Sequence, residues 1–106
     1  MIIHEKEIFE LILNSGDART LALKSLEYAR ENCFDEALEC IQEAGKKLNI
    51  AHKNQVNLIQ DEINGEESSV SLLMVHAQDH LMNSMTVRDL AKEIVLMKKS
   101  DIERGG

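Results

Sequence analysis

The chain contains no proline and no tryptophan, and only 3% of its 106 residues are aromatic. Strands and the tight turns between them favour aromatic residues, glycine and proline, so this composition does not suit a β-rich domain. Hydrophobic residues nevertheless make up 43% of the chain, and glycine occurs only five times. The sequence therefore predicts helices that pack through leucine, isoleucine, valine, methionine and alanine.

Positive charge is also scarce, because 12 lysine and arginine residues face 19 aspartate and glutamate residues and leave a net charge of -7. Binding nucleic acid requires a clustered basic surface, so we expect no nucleic-acid partner. No apolar run approaches the roughly 18 residues of a membrane span, and no signal sequence opens the chain. We expect a soluble protein that reaches a membrane only through another polypeptide.

The two cysteines, Cys33 and Cys40, lie seven residues apart. Side chains two turns apart on one helix are too distant for a disulfide. We therefore expect buried, reduced thiols, which suit a cytoplasmic protein.

The length of the chain predicts a single domain over residues 1–106. Apolar residues recur at helical spacing in three segments, from about Lys6 to Glu31, from near Asn32–Asp35 to Ile63, and from about Val70 to Lys99. Short breaks between long helices predict an antiparallel up-down-up three-helix bundle. Such a slender bundle leaves apolar side chains at its edges, which self-association would cover.

Individual residues predict where these helices bend, begin and end. Gly16 costs about 1 kcal/mol relative to alanine inside a helix, so we expect either a kink at Asn14–Asp17 or a close helix contact. Asn64-Gly65 should end the second helix, and a serine of the following loop should cap the third. The tail from Asp101 onward should fray.

One stripe of the third helix combines apolar and ionisable residues. Asp79, His80 and Asn83 fall within about 60° of His76 on a helical wheel. We interpret this stripe as the inward side of the helix, where charged groups need a partner, a metal or an interface. Gln78 points to another side. The predicted inward residues are Leu72, Leu73, Val75, His76, Asp79, Met82, Leu90, Ile94 and Met97.

The segment Val75–Met82, with Gly16-Asp17-Ala18-Arg19 upstream and Ala51-His52 followed by Gln55 between them, resembles the lactose/cellobiose-type enzyme IIA family of the bacterial sugar phosphotransferase system. The resemblance extends from about Ile8 to Lys98. It implies a three-helix subunit, a homotrimer, a histidine that carries a phosphoryl group, and a metal ion at the trimer axis. Val56 departs from the family, where threonine is expected, and this change hardly affects the chemistry.

Within this resemblance, His76 is the expected phosphoryl acceptor. Phosphoryl transfer needs an unprotonated ring nitrogen, and imidazole is mostly neutral near pH 7. His80, one turn later, is expected to support the phosphate or steady the ring. A zinc site shared by the two histidines is less favoured, because no glutamate lies between them. Gln78 is an uncertain supporting residue that would reach a neighbouring subunit or solvent.

The resemblance also implies that Asp79 meets its two symmetry copies on a threefold axis. A divalent cation with oxygen ligands, most plausibly Mg²⁺, would relieve their repulsion. The alternative for Asp79 is a salt bridge inside the bundle. Arg19 is expected to pair with acidic residues, whereas His52 and Gln55 receive no defined role.

The partners implied are the phosphocarrier HPr as donor and the cysteine of a IIB component as acceptor, with the membrane IIC component contacted only indirectly. Ala77 and the run Val70-Ser71-Leu72 favour a cellobiose- or diacetylchitobiose-like disaccharide, with lactose as the alternative.

Two other classes of protein stay open. A histidine-phosphotransfer domain usually shows Lys-Gly where this chain has Asp79 and His80. A helical adaptor would explain the length and charge but would leave His76, Asp79 and His80 buried without reason.

Overall fold

The computed structural model describes residues 4–65 and 71–105, and these form three long helices without a strand. Helix α1 spans Glu5–Arg30, α2 spans Phe34–Ile63 and α3 spans Leu72–Glu103. The bundle measures 58 × 20 × 17 Å. The predicted all-α fold is confirmed.

Contacts at the two ends of the bundle define the direction of the helices. At one end, Nζ of Lys98 donates to the carbonyl oxygen of Arg30 at 3.0 Å, so α1 and α3 end together. At the other end, Nε2 of His4 lies 3.5 Å from Oδ2 of Asp61, so α2 ends where α1 begins. Helix α1 is therefore parallel to α3 and antiparallel to α2, as the up-down-up prediction requires.

Small residues dominate the contacts between the helices. Leucine, isoleucine and valine fill the core at a few positions, but most of the buried side chains are alanine or serine, which let the helix backbones approach closely. The buried alanines and serines are Ser15, Ala18, Ala22, Ser25, Ala29, Ala37, Ala44, Ala51, Ala77, Ser84 and Ala91. The core is consequently narrow, and only a few large side chains fill it.

Helix α1 runs without the break predicted at Asn14–Asp17. Of the two outcomes expected for Gly16, the structure shows the close contact: a β-carbon at this position would lie 3.3 Å from Nε2 of His80 on α3. Helix α2 ends at Ile63 as predicted, and Gly65 follows it with a left-handed φ of 77°. That conformation carries little penalty for glycine.

The ends of α3 differ from the prediction. The helix continues to Glu103, so the expected fraying from Asp101 was wrong for the residues up to that point. Nζ of Lys99 lies 2.7 Å from Oε1 of Glu103, one turn later, and supports this last turn. At the other end, the capping serine is Ser71, whose hydroxyl oxygen accepts from the Met74 amide at 3.1 Å. Glu66–Val70, including Ser68 and Ser69, lie outside the described residues.

The side of α3 that faces the bundle was predicted wrongly. Its buried residues are Ala77, Leu81, Ser84, Ala91 and Val95. Of the residues predicted to face inward, Leu73 is partly buried, whereas the others are exposed, with Leu72 at 90% and Met97 at 69%. We call the surface formed by Leu72, Val75, Asp79, Met82, Leu90 and Met97 the outer face of α3. Its strong apolar signal belongs to an uncovered face and not to the core.

Two smaller predictions concern the cysteines and membranes. Cys33 and Cys40 are both free, but only Cys40 is buried, and burial raises the pKa of its thiol. In the part of the chain that the structure describes, no helix combines the length and apolar character needed to cross a membrane.

Leu81→Ala should lower the free energy of unfolding by about 2–5 kcal/mol, because it opens a cavity beside other large side chains of the core such as Leu11 and Leu48. Leu81 is fully buried. Leu13→Ala removes the same atoms from a side chain that is 62% exposed on α1, and should change stability much less. Chemical denaturation of both variants checks the assignment, and equal losses would contradict the observed orientation of α3.

Candidate functional site

His76 and His80 lie on the flank of α3 that turns toward α1. Each directly precedes a buried anchor of the helix, Ala77 and Leu81 respectively, and this spacing fixes their direction. The two imidazole rings stack with their centroids 5.8 Å apart and their planes 9° from parallel. His76 is exposed, whereas His80 is half-buried. The pair therefore presents one accessible ring supported by a second.

The environment of His80 favours its neutral form. Burial lowers the pKa of His80 below its ordinary value of 6.5, and the nearby charges of His76 and Arg19 lower it further. The ring lies against α1 at Gly16, where an added β-carbon would be 3.3 Å from Nε2 of His80. At neutral pH His80 keeps one N–H donor and one acceptor nitrogen beside His76.

Gln78 faces away from the two histidines and toward α2. Its Oε1 accepts a hydrogen bond from Nε2 of Gln55 at 2.5 Å, and Oε1 of Gln55 lies 3.2 Å from Nδ1 of His52. This chain of polar contacts connects α2 to α3. The contacts of His52 and Gln55 were not predicted from the sequence. The same contacts direct Gln78 away from His76 of its own chain.

Asp79 lies on the outer face of α3 and is exposed, so its predicted burial within the chain was wrong. Nor does it form an ion pair among residues 4–65 and 71–105, which removes the salt-bridge alternative there. Across the same residues, no three histidine, cysteine, aspartate or glutamate side chains meet to form a metal site. A metal ion held at Asp79 by several side chains would therefore need ligands from outside this part of the chain.

Arg19 was predicted to pair with acidic residues, and this is wrong for the described residues. Asp17, its neighbour in the motif, lies 3.8 Å from Nζ of Lys47 instead. Arg19 itself is exposed, and its charge acts on His80. Gly16 of this motif thus lies at the histidine site. The only signal for this in the sequence was the unfavourable glycine in mid-helix.

The described fold and motif agree with those of characterised proteins. The family model described as "PTS system, Lactose/Cellobiose specific IIA subunit" matches residues 6–99. The lichenan-specific phosphotransferase enzyme IIA component of Bacillus subtilis (strain 168) is 43% identical over 102 residues, covering 96% of this chain and 93% of that protein.

Solved structures give the same result. The cellobiose-specific enzyme IIA of Bacillus anthracis superimposes with a TM-score of 0.92 at 43% identity, covering 100% of this chain and 96% of the other. A chain from the solution structure of the IIA(Chitobiose)–HPr complex matches with a TM-score of 0.80 at 36% identity, covering 91% of this chain and 93% of the other.

The neutral form of His80 predicts a pH effect on stability. Since the folded protein disfavours the charged ring, the unfolded chain binds more protons just below pH 6.5, and the free energy of unfolding should rise with pH across that range. His80→Asn should reduce this dependence. NMR titration of the imidazole protons checks the sign directly: a His80 midpoint at or above 6.5 would contradict the burial of the ring.

Proposed function

This chain belongs to the lactose/cellobiose-specific IIA family of the phosphotransferase system, and from that membership we propose that it is a phosphocarrier in which His76 accepts and donates the phosphoryl group. The observation that carries the proposal is the exposed His76 ring, stacked on a half-buried His80. A partner can approach His76 directly, while its neighbour holds it in place.

The transfer needs little covalent machinery from this chain. An unprotonated ring nitrogen of His76 attacks the phosphorus in line, the new P–N bond forms, and the P–N bond to the donor histidine breaks, with the electron pair returning to the donor ring. His80 stays neutral and offers an N–H to the phosphoryl oxygens or to the His76 ring. Its stacking restricts the orientations of His76, which lowers the entropic cost of alignment.

We propose HPr as the donor and the cysteine of a IIB component as the acceptor, with the membrane IIC component reached only through IIB. The structural match to IIA(Chitobiose) from its complex with HPr supports the first partner. The IIB step follows from the family resemblance. A carrier between two such proteins would work in the cytoplasm.

The sugar is proposed to be a β-linked disaccharide of the cellobiose or diacetylchitobiose type, with lactose as the alternative. Similarity to the cellobiose-specific and lichenan-specific IIA proteins supports this choice. Ala77, the residue that favours this branch, is completely buried and packs in the core. It therefore cannot contact a sugar, and it marks the branch only through sequence relationship.

We propose that the protein assembles as a homotrimer through the outer face of α3. This face exposes several large apolar side chains in a nearly continuous strip, which is unusual for a surface that stays in water. Asp79 lies within the strip. Around a threefold axis, three Asp79 carboxylates would supply oxygen ligands for Mg²⁺, which keeps several waters in its shell.

A role in the phosphoryl-transfer site is less well supported for Gln78 than for His80. In its own chain its oxygen is engaged by Gln55. If Gln78 takes part in phosphoryl transfer, it contacts the His76 of a neighbouring subunit.

His76→Ala should abolish phosphorylation by phosphoenolpyruvate, the general enzyme I and HPr, measured as the gain of one phosphoryl group by intact mass. The modification on the wild type should be lost in acid, as expected for a phosphoramidate. His80→Ala should retain acceptance but transfer more slowly. His4→Ala changes a histidine that lies beside Asp61 at the start of α1, about three turns before Gly16; it is the control and should behave as wild type. Phosphorylation of the His76→Ala protein would remove the proposed acceptor.

Substitutions of Asp79 test the assembly. Asp79→Leu removes both the repulsion and the metal requirement, so the trimer should persist or become more stable. Asp79→Lys would place three cations on the axis and should favour monomers. Sedimentation of the wild type with and without chelator, beside both variants, measures the outcome. A monomeric wild type, or a trimeric Asp79→Lys protein, would show that Asp79 does not lie on a shared axis.

A further inference from the structure

Three polar side chains form a chain of contacts that crosses from α2 to α3 and ends at Gln78. Nδ1 of His52 lies 3.2 Å from Oε1 of Gln55, and Nε2 of Gln55 donates to Oε1 of Gln78. His52 is exposed, whereas Gln55 and Gln78 are half-buried. The chain of contacts therefore begins at the surface of α2 and ends in the groove between α2 and α3.

The first side chain of this series determines the direction of all its hydrogen bonds. An amide oxygen only accepts, so Nδ1 of His52 must carry a proton and donate it to Oε1 of Gln55. The NH₂ group of Gln55 is then directed to the oxygen of Gln78, which leaves the NH₂ group of Gln78 as the outward end. If an acceptor replaced His52, both amides would turn over, and Gln78 would present its oxygen instead.

The NH₂ group of Gln78 meets no strong acceptor among the described residues. Its contact there is with Sδ of Met74 at 3.9 Å, and a thioether is a weak acceptor. A cavity of about 290 Å³ extends from Gln78 to Asp79 on the outer face of α3. An acceptor on a neighbouring subunit can therefore reach this amide from the face proposed for assembly.

A threefold axis at Asp79 would direct Gln78 of one subunit toward His76 of the next. On the helical wheel of α3, His76 lies about 60° to one side of Asp79 and Gln78 about 100° to the other. Around such an axis, the Gln78 side of each α3 faces the His76 side of its neighbour. The two residues are two positions apart, so their heights along the helix differ by only about 3 Å.

We propose that His52 is a positioning residue for phosphoryl transfer: through Gln55 it directs the NH₂ group of Gln78 toward the phosphoryl oxygens on the His76 of a neighbouring subunit. This inference rests on the proposed phosphocarrier function and on the proposed trimer. No proton moves along the three side chains, which act only by fixing the end of the Gln78 amide that is presented. Phosphoryl oxygens accept hydrogen bonds, so they bind the NH₂ end and are repelled by the oxygen end.

Two replacements of His52 separate hydrogen-bond donation from packing. His52→Asn keeps an N–H donor at the position of Nδ1, whereas His52→Asp places only an acceptor there. The measurement is the equilibrium constant for phosphoryl transfer from phospho-HPr to this protein, which depends only on the end states. It should fall about five- to thirtyfold in His52→Asp, the range expected for a lost hydrogen bond to an anion. His52→Asn should keep most of the wild-type value.

Further variants control for charge and for folding. Asn49→Asp places the same carboxylate at an exposed position of α2, three residues before His52, and should leave the constant unchanged. Gln55→Glu accepts from both of its neighbours, so it reverses the Gln78 amide with His52 in place and should act like His52→Asp. In a Gln78→Ala background, His52→Asp should have no further effect, because both substitutions remove the same interaction.

The tautomer of His52 tests the direction of the hydrogen bonds without any phosphoryl transfer. Nitrogen-15 NMR of the imidazole, in the unphosphorylated protein and above the pH range in which histidine ordinarily titrates, should show the proton on Nδ1. A proton on Nε2 alone would overturn the inference, because Gln78 would then present its oxygen.

The outcomes separate this inference from the proposed function. A wild-type protein that accepts no phosphoryl group from phospho-HPr would defeat both. If the wild type is phosphorylated and His52→Asp leaves the constant unchanged, or if Asn49→Asp lowers it equally, the role of His52 is overturned while the phosphocarrier function stands. Phosphorylation of a monomeric wild type would have the same meaning.

Circular dichroism and sedimentation establish which variants are folded trimers. If His52→Asp fails either measurement, Gln55→Glu takes its place in the comparison. Failure of both acidic variants would also overturn the inference, because it would show that the three side chains serve folding or assembly and not the presentation of Gln78.

Discussion

The arrangement of the site depends on the close contact between α1 and α3 at Gly16. A β-carbon at Gly16 would lie 3.3 Å from Nε2 of His80, so any larger residue would require the His80 ring to shift by a few tenths of an ångström. This contact withdraws His80 from water, which disfavours its charged form, and it fixes a surface against which His76 stacks. The buried alanines and serines along the bundle also bring the helices close together, and this close packing lets the contact at Gly16 form.

Once α3 is fixed in this rotation, its neighbouring residues are distributed over different surfaces. His76 and His80 turn toward α1, Gln78 turns toward α2 and meets Gln55, and Asp79 faces outward. One short segment can thereby present the proposed phosphoryl site, a contact between helices and the proposed assembly face without steric conflict. A change in the rotation of α3 would disturb all three together, which explains why the buried positions Ala77 and Leu81 matter to a site that they do not enter.

The sequence predicted the fold well and the orientation of α3 poorly, for one physical reason. Helical periodicity identifies the apolar stripe of a helix but not what covers it. On α3, Leu72, Val75, Met82, Leu90 and Met97 form a stronger apolar stripe than the true core. The core side consists largely of alanine and serine around Leu81 and Val95. The contact between Gly16 and His80 could not be predicted either, since the two residues lie 64 positions apart in the sequence and their contact depends on the register of α1 against α3.

The observed orientation of α3 weakens one argument against a helical adaptor. The case against a simple helical adaptor had assumed that His76 and Asp79 were buried, whereas both are exposed and need no chemical role to be tolerated. The argument for a phosphocarrier rests instead on family membership and on a specific arrangement, in which the exposed His76 ring stacks on a His80 ring that lies against Gly16 and whose pKa is lowered by burial. An adaptor surface has no need of a glycine that makes room for a neutral imidazole. A phosphoryl-transfer site gives the contact between Gly16 and His80 a role beyond packing, because the contact orients the His80 ring beside His76.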